Sequence, residues 1–153
     1  MHERPCPICG ASTRSRLYAA SNFNVSRLDC YAYASRKLPE YMHHRLLLCD
    51  ACDLVYASPV PKADELSRSY ACAEFDSREL AILAARTYAA RIKSIVPELP
   101  DRCGALDIGT GEGAFLQELL ALGFHNICGI EPSAAPIAAA NPAIRPLIRQ
   151  ACF

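Results

Sequence analysis

The run Leu106-Asp107-Ile108-Gly109-Thr110-Gly111-Glu112-Gly113, followed about one βαβ unit later by Gly129-Ile130-Glu131-Pro132-Ser133, constrains the fold more than any other feature. Cys103-Gly104-Ala105-Leu106-Asp107-Ile108 is a short apolar run that suits a buried parallel strand. The glycines after it permit a tight turn at backbone angles other residues resist, so that main chain can approach a ligand closely. From Ala114 the apolar spacing becomes helical, with Phe115, Leu116, Leu119, Leu120 and Leu122 on a broad face and Gly123 where a C′ glycine would stand. The amino end of this helix then points at the glycine turn. Asn126-Ile127-Cys128-Gly129-Ile130 reads as the next buried strand, and Glu131 falls at its carboxyl end, where an open α/β sheet places ligands. A carboxylate there can accept hydrogen bonds from both hydroxyls of a ribose. Together these elements read as half of a nucleotide-cofactor site.

The glycines alone leave the cofactor open. A dinucleotide fingerprint G-x-G-x-x-G/A can be traced through Gly109, Gly111 and Ala114. Asp107 argues against it, because an acid two residues before the first glycine suits a ligand carrying an ammonium and a sulfonium better than a pyrophosphate. Glu112 adds a second acid to the turn. Asp107-x-Gly109-x-Gly111-x-Gly113 with Glu131 resembles the first two motifs of class I S-adenosylmethionine-dependent methyltransferases. The resemblance implies that Gly109, Thr110, Gly111 and Gly113 form the turn against the methionine part of S-adenosylmethionine. It also implies that Asp107 helps to hold the amino group and that Glu131 takes the ribose.

At the front of the chain stand Cys6-Pro7-Ile8-Cys9-Gly10 and, later, Cys49-Asp50-Ala51-Cys52-Asp53. Two C-x-x-C pairs supply four thiolates, the ligand set of a closed tetrahedral Zn²⁺ site, and Gly10 is the usual knuckle residue. The 39 residues between Cys9 and Cys49 exceed the spacing of about 15 to 20 in common compact fingers, so an inserted segment is required. Ala11 to Leu48 has room for hairpin strands, and Arg45-Leu46-Leu47-Leu48 leads into the second knuckle as the last strand of a ribbon would. A thioredoxin-like redox pair would need a strand ahead of the first C-x-x-C, where only five residues stand. Nine cysteines behind no recognisable secretory leader point to a reducing compartment, and an odd number cannot all pair as disulfides. Cys30, Cys72, Cys103, Cys128 and Cys152 read as small buried hydrophobes.

A Cys-Pro-x-Cys-Gly ribbon, a second knuckle followed by Leu54-Val55-Tyr56-Ala57-Ser58-Pro59, a polar stretch to Tyr70, a helix and then the glycine turn resemble a bacterial methyltransferase subgroup with an N-terminal zinc-binding segment. Many members act on sugars or on polysaccharide and secondary-metabolite precursors, which implies a small-molecule or sugar-type acceptor. The second knuckle departs from the subgroup by ending on Asp53 where glycine is usual. The expected fold class is α/β: a zinc-ribbon-like segment over residues 1–61, a connector and packing helix over 62–102, and the first part of a Rossmann-like sheet over 103–153. The 51 residues from Cys103 to Phe153 suffice for about two or three strands, whereas a class I core has seven. With its apolar ending, the chain therefore reads as a truncated product with little turnover by itself. No catalytic residue is assigned within it.

Within the connector a short helix is expected around Ala63 to Tyr70. A long one follows over Ser77 to Val96, with Ser77 as N-cap and a stripe of Leu80, Leu83, Tyr88, Ile92, Ile95 and Val96, ended by Pro97 and Pro100. Ser133 is placed to cap a further helix through Ala140, with Pro136 in its first turn. Sixteen basic and sixteen acidic residues leave no net charge, so no strong field for nucleic acid or membrane is expected. No run approaches the ~18 consecutive apolar residues of a membrane span, and Met1-His2-Glu3-Arg4-Pro5 is not a signal peptide, so a cytoplasmic location is expected. His43 and His44 read as solvated rather than as metal ligands, and Tyr56 and Tyr70 as cover for the ribbon-to-core junction rather than as borders of a substrate cleft. Two other function classes remain open: a zinc-ribbon binding module, and an NAD-dependent oxidoreductase fragment.

Overall fold

The computed structural model, which describes residues 1–34 and 41–152, is mixed α/β with two three-stranded sheets. Residues 35–40 of the expected inserted segment and Phe153 at the end of the apolar tail lie outside the described residues. The chain divides into two units, one of Met1–Asp29 with Pro39–Leu66 and one of Cys30–Leu38 with Ser67–Phe153.

The first unit holds an antiparallel sheet in the order β1 (Ser15–Ala19), β2 (Leu46–Cys49), β3 (Val55–Ala57). Strand β2 runs to Cys49 itself, because Ser15 pairs with Cys49 on one side and the Cys49 N–H donates to the Leu54 carbonyl (2.9 Å) at the turn into β3. Its core is small: Cys6, Cys49 and Tyr56 are buried, with Ala11, Leu47 and Leu54 against them. The amino terminus is tied down by reciprocal main-chain hydrogen bonds between His2 and Val60 (2.8 and 2.9 Å). Beside them the Glu3 carboxylate accepts from Ser58 Oγ (2.6 Å) and from the Arg45 guanidinium (2.8 Å). The Ser58 hydroxyl foremost, with the Arg45 charge, holds the Glu3 carboxyl below its usual range against the opposing effect of burial.

Helix α1 (Ala63–Ala71) carries the division between the units. The second unit continues with α2 (Arg78–Ile95), β4 (Cys103–Ile108), α3 (Ala114–Ala121), β5 (His125–Glu131), α4 (Ala134–Ala139) and β6 (Ile148–Gln150). Its strands are parallel in the order β4-β5-β6, with Asp107 opposite Gly129 and Gly129 opposite Ile148. Leu116, Leu119, Ile127 and Ile144 form the buried core, to which Ile92, Phe115 and Phe124 add. Cys30 also belongs here: its carbonyl accepts the Glu74 N–H (2.8 Å), and Tyr33 meets Tyr70 edge-on at 5.5 Å.

Several expectations change. Strand β4 is not buried on both faces: Leu106 and Ile108 are about half exposed, while Ala105 and Asp107 lie on the partly covered side. The reason is that β4 is an edge strand among the described residues and α3 packs on one face only. On α2 the large residues Leu80, Leu83, Tyr88 and Ile95 are exposed, and the buried positions are Ala85 and Ala89, four apart, followed by Val96. Small side chains permit the close helix approach, so the covered stripe is set by alanine rather than by leucine. Ser77 and Ser133 occupy N-cap positions, but neither hydroxyl caps its helix. Ser133 Oγ instead donates to the Tyr70 carbonyl (2.7 Å). The cysteines outside the two pairs are not buried: Cys30, Cys72, Cys103 and Cys152 are exposed, because they fall in loops, at an edge strand or near the chain end, and Cys128, on the central strand β5, is half-buried. No helix among the described residues is long and apolar enough to cross a membrane.

Candidate functional site

The two cysteine pairs adopt the same turn. Cys6 N–H donates to the Ala11 carbonyl (3.0 Å) and Gly10 N–H to the Cys6 carbonyl (2.9 Å); Cys49 N–H donates to Leu54 (2.9 Å) and Asp53 N–H to Cys49 (2.9 Å). Gly10 and Asp53 both take left-handed backbone, at φ +72° and +57°. Asp53 thus reproduces the knuckle expected of glycine, since aspartate enters this region more readily than most residues. Replacing Asp53 by glycine is expected to stabilise the unit by up to about 1 kcal/mol with metal stoichiometry unchanged. A denaturant midpoint that moves down instead would contradict this account of the turn.

The two turns bring Cys6, Cys9, Cys49 and Cys52 together, with all four sulfurs within 4.8 Å of one another. Cys6 and Cys52 Sγ are 3.6 Å apart, Cys9 and Cys49 Sγ 3.5 Å. A tetrahedron with Zn–S bonds of about 2.3 Å has edges of about 3.8 Å, so the spacing fits one ion held by four thiolates. The N–H groups of Cys9, chiefly, and of Ile8 bring the Cys6 thiol down to about 6. The Leu54 N–H acts on Cys52 in the same direction, but burial and the neighbouring sulfurs outweigh it and push that thiol up to about 12. Cys9 is likewise raised: the Ala11 N–H is outweighed by Cys49, burial and Cys6. Cys6 therefore takes a negative charge readily while Cys9 and Cys52 resist one, as expected of a site completed by a cation. The four-sulfur group can hold a metal such as zinc. His43 and His44 are not part of it: His43 Nδ1 lies 2.8 Å from the His44 carbonyl, and the His44 ring packs on Phe23 at 4.3 Å. Burial, with His43 beside it, lowers the His44 pKa. Tyr56 packs on the cysteine core, its hydroxyl 2.8 Å from Ser15 Oγ.

In the second unit the chain leaves β4 at Gly109, and the N–H groups of Gly109 and Thr110 both donate to the Ile130 carbonyl of β5 (2.8 and 3.1 Å). Thr110 Oγ1 donates to Asp107 Oδ2 (2.7 Å). The Thr110 side chain lies over Gly129, where a Cβ would come within 2.5 Å of it. Glu131, almost fully buried at the carboxyl end of β5, accepts from the Gly111 N–H through Oε2 (2.9 Å) and from the Ser133 N–H through Oε1 (2.8 Å). Asp107, Gly109, Thr110, Gly111 and Glu131 thus converge at the carboxyl ends of two adjacent parallel strands. Gly113 stands at the N-cap of α3 and packs under Ile144 and Ile148.

Two cavities flank the turn. One, of about 180 Å³, is lined by Tyr33, Tyr70, Phe75, Gly109, Gly111 and Glu131 among others. The second, of about 230 Å³, is lined among others by Phe75, Ser77, Asp107, Gly109, Thr110 and Gly111. Tyr70 is therefore a cavity residue. Tyr33 and Phe75 were not legible as such, since neither sits in a motif and Tyr33 lies far from Glu131 in sequence. Glu112, expected to add negative charge to the ligand side, is buried and paired with Arg78 of α2 (2.8 Å), on a different cavity. Its charge is compensated because α2 packs beside the turn.

No protein-family model matches the chain, and no curated protein matches it significantly.

Proposed function

We propose that this chain is the cofactor-binding part of an S-adenosylmethionine-dependent methyltransferase that acts on a small-molecule or sugar-type acceptor and carries a zinc-binding N-terminal unit. The observation that supports it most is Glu131. Its two oxygens are held by the Gly111 and Ser133 N–H groups, yet each retains a further acceptor position, and the residue lines a cavity beside the turn. That arrangement suits a pair of ribose hydroxyls. Because Gly111 spends its N–H on a carboxylate and Asp107 stands next to the turn, a pyrophosphate would meet negative charge where it needs donors. This favours a sulfonium cofactor over a dinucleotide.

Bound there, S-adenosylmethionine supplies an electrophilic methyl group for an acceptor nucleophile. The residues of this chain contribute positioning, which is worth most when the reacting groups are held in line. Glu131 would hold the ribose, Asp107 would offer negative charge to the cationic end, and the turn from Gly109 to Gly111 would bring main chain against the ligand. Tyr33 and Tyr70 would shield the nucleoside side from water.

Calorimetric titration of the zinc-loaded chain with S-adenosylhomocysteine, beside NAD, tests the reading. Binding of the former alone is expected, weakened about tenfold or more in Glu131→Gln, since hydrogen bonds to a charged acceptor are worth about 1.5–3 kcal/mol. NAD binding without S-adenosylhomocysteine binding would move the protein to the oxidoreductase class. Binding that ignores the Glu131 substitution would remove the central support.

A further inference from the structure

The first unit carries a cavity of about 440 Å³, lined on one side of the first cysteine knuckle by Arg4 and Pro5 and on the other by Ser12 and Thr13. The bond from the Cys6 N–H to the Ala11 carbonyl closes the knuckle and so holds these two stretches together. The charged residues on the wall are Glu3, Arg4 and Arg45. Glu3 is fully engaged: Oε1 accepts from Arg45 (2.8 Å), and Oε2 accepts from Arg45 (2.9 Å) and from Ser58 Oγ (2.6 Å). That pair adds no net charge. Arg4 differs. Its main-chain N–H donates to Ser58 Oγ (3.1 Å) and its Nε to the Ala57 carbonyl (2.9 Å), which orients the guanidinium. Its two terminal nitrogens meet no acceptor among the described residues. One positive charge is therefore left uncompensated, on a side chain already held in place.

The rest of the wall supplies further donors. The Ser12 and Thr13 hydroxyls make no hydrogen bond among the described residues. Ser15 Oγ and the Tyr56 hydroxyl lie 2.8 Å apart, and whichever donates, the other keeps its proton for a third partner. A guanidinium fork by itself satisfies a carboxylate; hydroxyl donors beside the fork call for a further oxygen, as on a phosphoryl group. The volume falls in the range of about 300–1,000 Å³ usual for small-molecule sites, so the group attached to the phosphate also has room. A nucleic-acid backbone would need a row of cations, and this wall has one to spare. We propose that Arg4, with Ser12 and Thr13, binds the phosphoryl group of a small phosphorylated molecule. Every wall of the cavity belongs to the first unit, so the site is separate from the glycine turn and independent of the nucleoside reading at Glu131.

The test titrates the full zinc-loaded chain with inorganic phosphate and with glycerol 3-phosphate, followed by two-dimensional amide NMR, with sodium acetate at matched ionic strength as the control. Saturable shifts are expected at the Ser12 and Thr13 amides with both phosphates and not with acetate, and the monoester should bind the more tightly because the cavity also receives its carbon chain. Arg4→Gln should weaken binding about tenfold or more, and Thr13→Ala several-fold. Thr13 is exposed and its hydroxyl has no internal partner, so Thr13→Ala leaves the fold intact and decides the matter where Arg4→Gln disturbs the Ala57 contact. Equal shifts with acetate would reduce the site to a general response to anions and overturn the assignment. Binding of inorganic phosphate without the monoester would mark an adventitious ion only and overturn it too. Shifts that never saturate, or full affinity in Thr13→Ala, would do the same.

Discussion

Removing the metal by chelation, or replacing Cys49 by serine, is expected to unfold the first unit completely. The four candidate ligands are not attached to a core; two of them are the core. Cys6 and Cys49 are buried with Tyr56, and only Ala11, Leu47 and Leu54 pack against them. The sheet has strands of five, four and three residues, short for independent stability. Structural Zn²⁺ supplies about 10–16 kcal/mol in comparable small domains, more than any other interaction available here. Without it, sulfurs 3.5 Å apart lose the charge that justifies their closeness. In a two-dimensional amide NMR spectrum, the dispersed signals of β1 to β3 should collapse on chelation and return with one equivalent of zinc, whereas Cys30→Ser should change neither. Retention of those signals in Cys49→Ser, or a chain that takes up no stoichiometric metal, would refute the metal centre.

The same centre carries a pH dependence of definite sign. Metal removal unfolds the unit and leaves protonated thiols where the metal held thiolates, since an unperturbed cysteine is mostly protonated at neutral pH. Metal binding must then expel protons, so apparent affinity rises with pH and falls steeply as pH drops below neutral. Proton release measured in weakly buffered solution checks this; binding without release would be inconsistent with a tetrathiolate.

The second large effect is expected at Gly113. Its φ is +78°, and an added Cβ would stand 2.5 Å from Ile144 Cγ2 and 3.2 Å from Ile148 Cδ1. Alanine therefore meets two costs, about 1–2 kcal/mol for left-handed backbone and about 1–3 kcal/mol for overpacking against a buried residue. Gly113→Ala should lower the unfolding free energy of the second unit by roughly 2–5 kcal/mol. Gly111 provides the comparison: it too has positive φ, but a Cβ there meets nothing within 4 Å. Gly111→Ala should cost only the backbone share, about 1–2 kcal/mol. Urea unfolding of both variants decides the matter, and equal losses would show that Ile144 yields and that the packing argument is wrong.

The two glycines show how far a sequence can be read. Their alternation predicts a turn, but not that Gly113 also packs under Ile144 and Ile148, which arrive from beyond β5. Likewise Glu112 counted as a free acid until α2 brought Arg78 to it. Ser77 was legible as an N-cap by position, whereas the failure of its hydroxyl to cap was not, since that depends on what surrounds the helix end.

The local elements are legible along the chain: β4 over Cys103–Ile108, α3 from Ala114, α1 from Ala63, and two five-residue knuckles. These follow from short-range physics, namely side-chain periodicity, glycine or aspartate at positive φ, and the reach of two cysteines across a C-x-x-C turn. Tertiary structure alone decided that the knuckles meet across 39 intervening residues, that alanines rather than leucines form the covered stripe of α2, and that Tyr33 lines the cavity with Glu131. Such pairings depend on which surfaces fit and which polar groups find partners once the chain has closed on itself. No window of neighbouring residues carries that information.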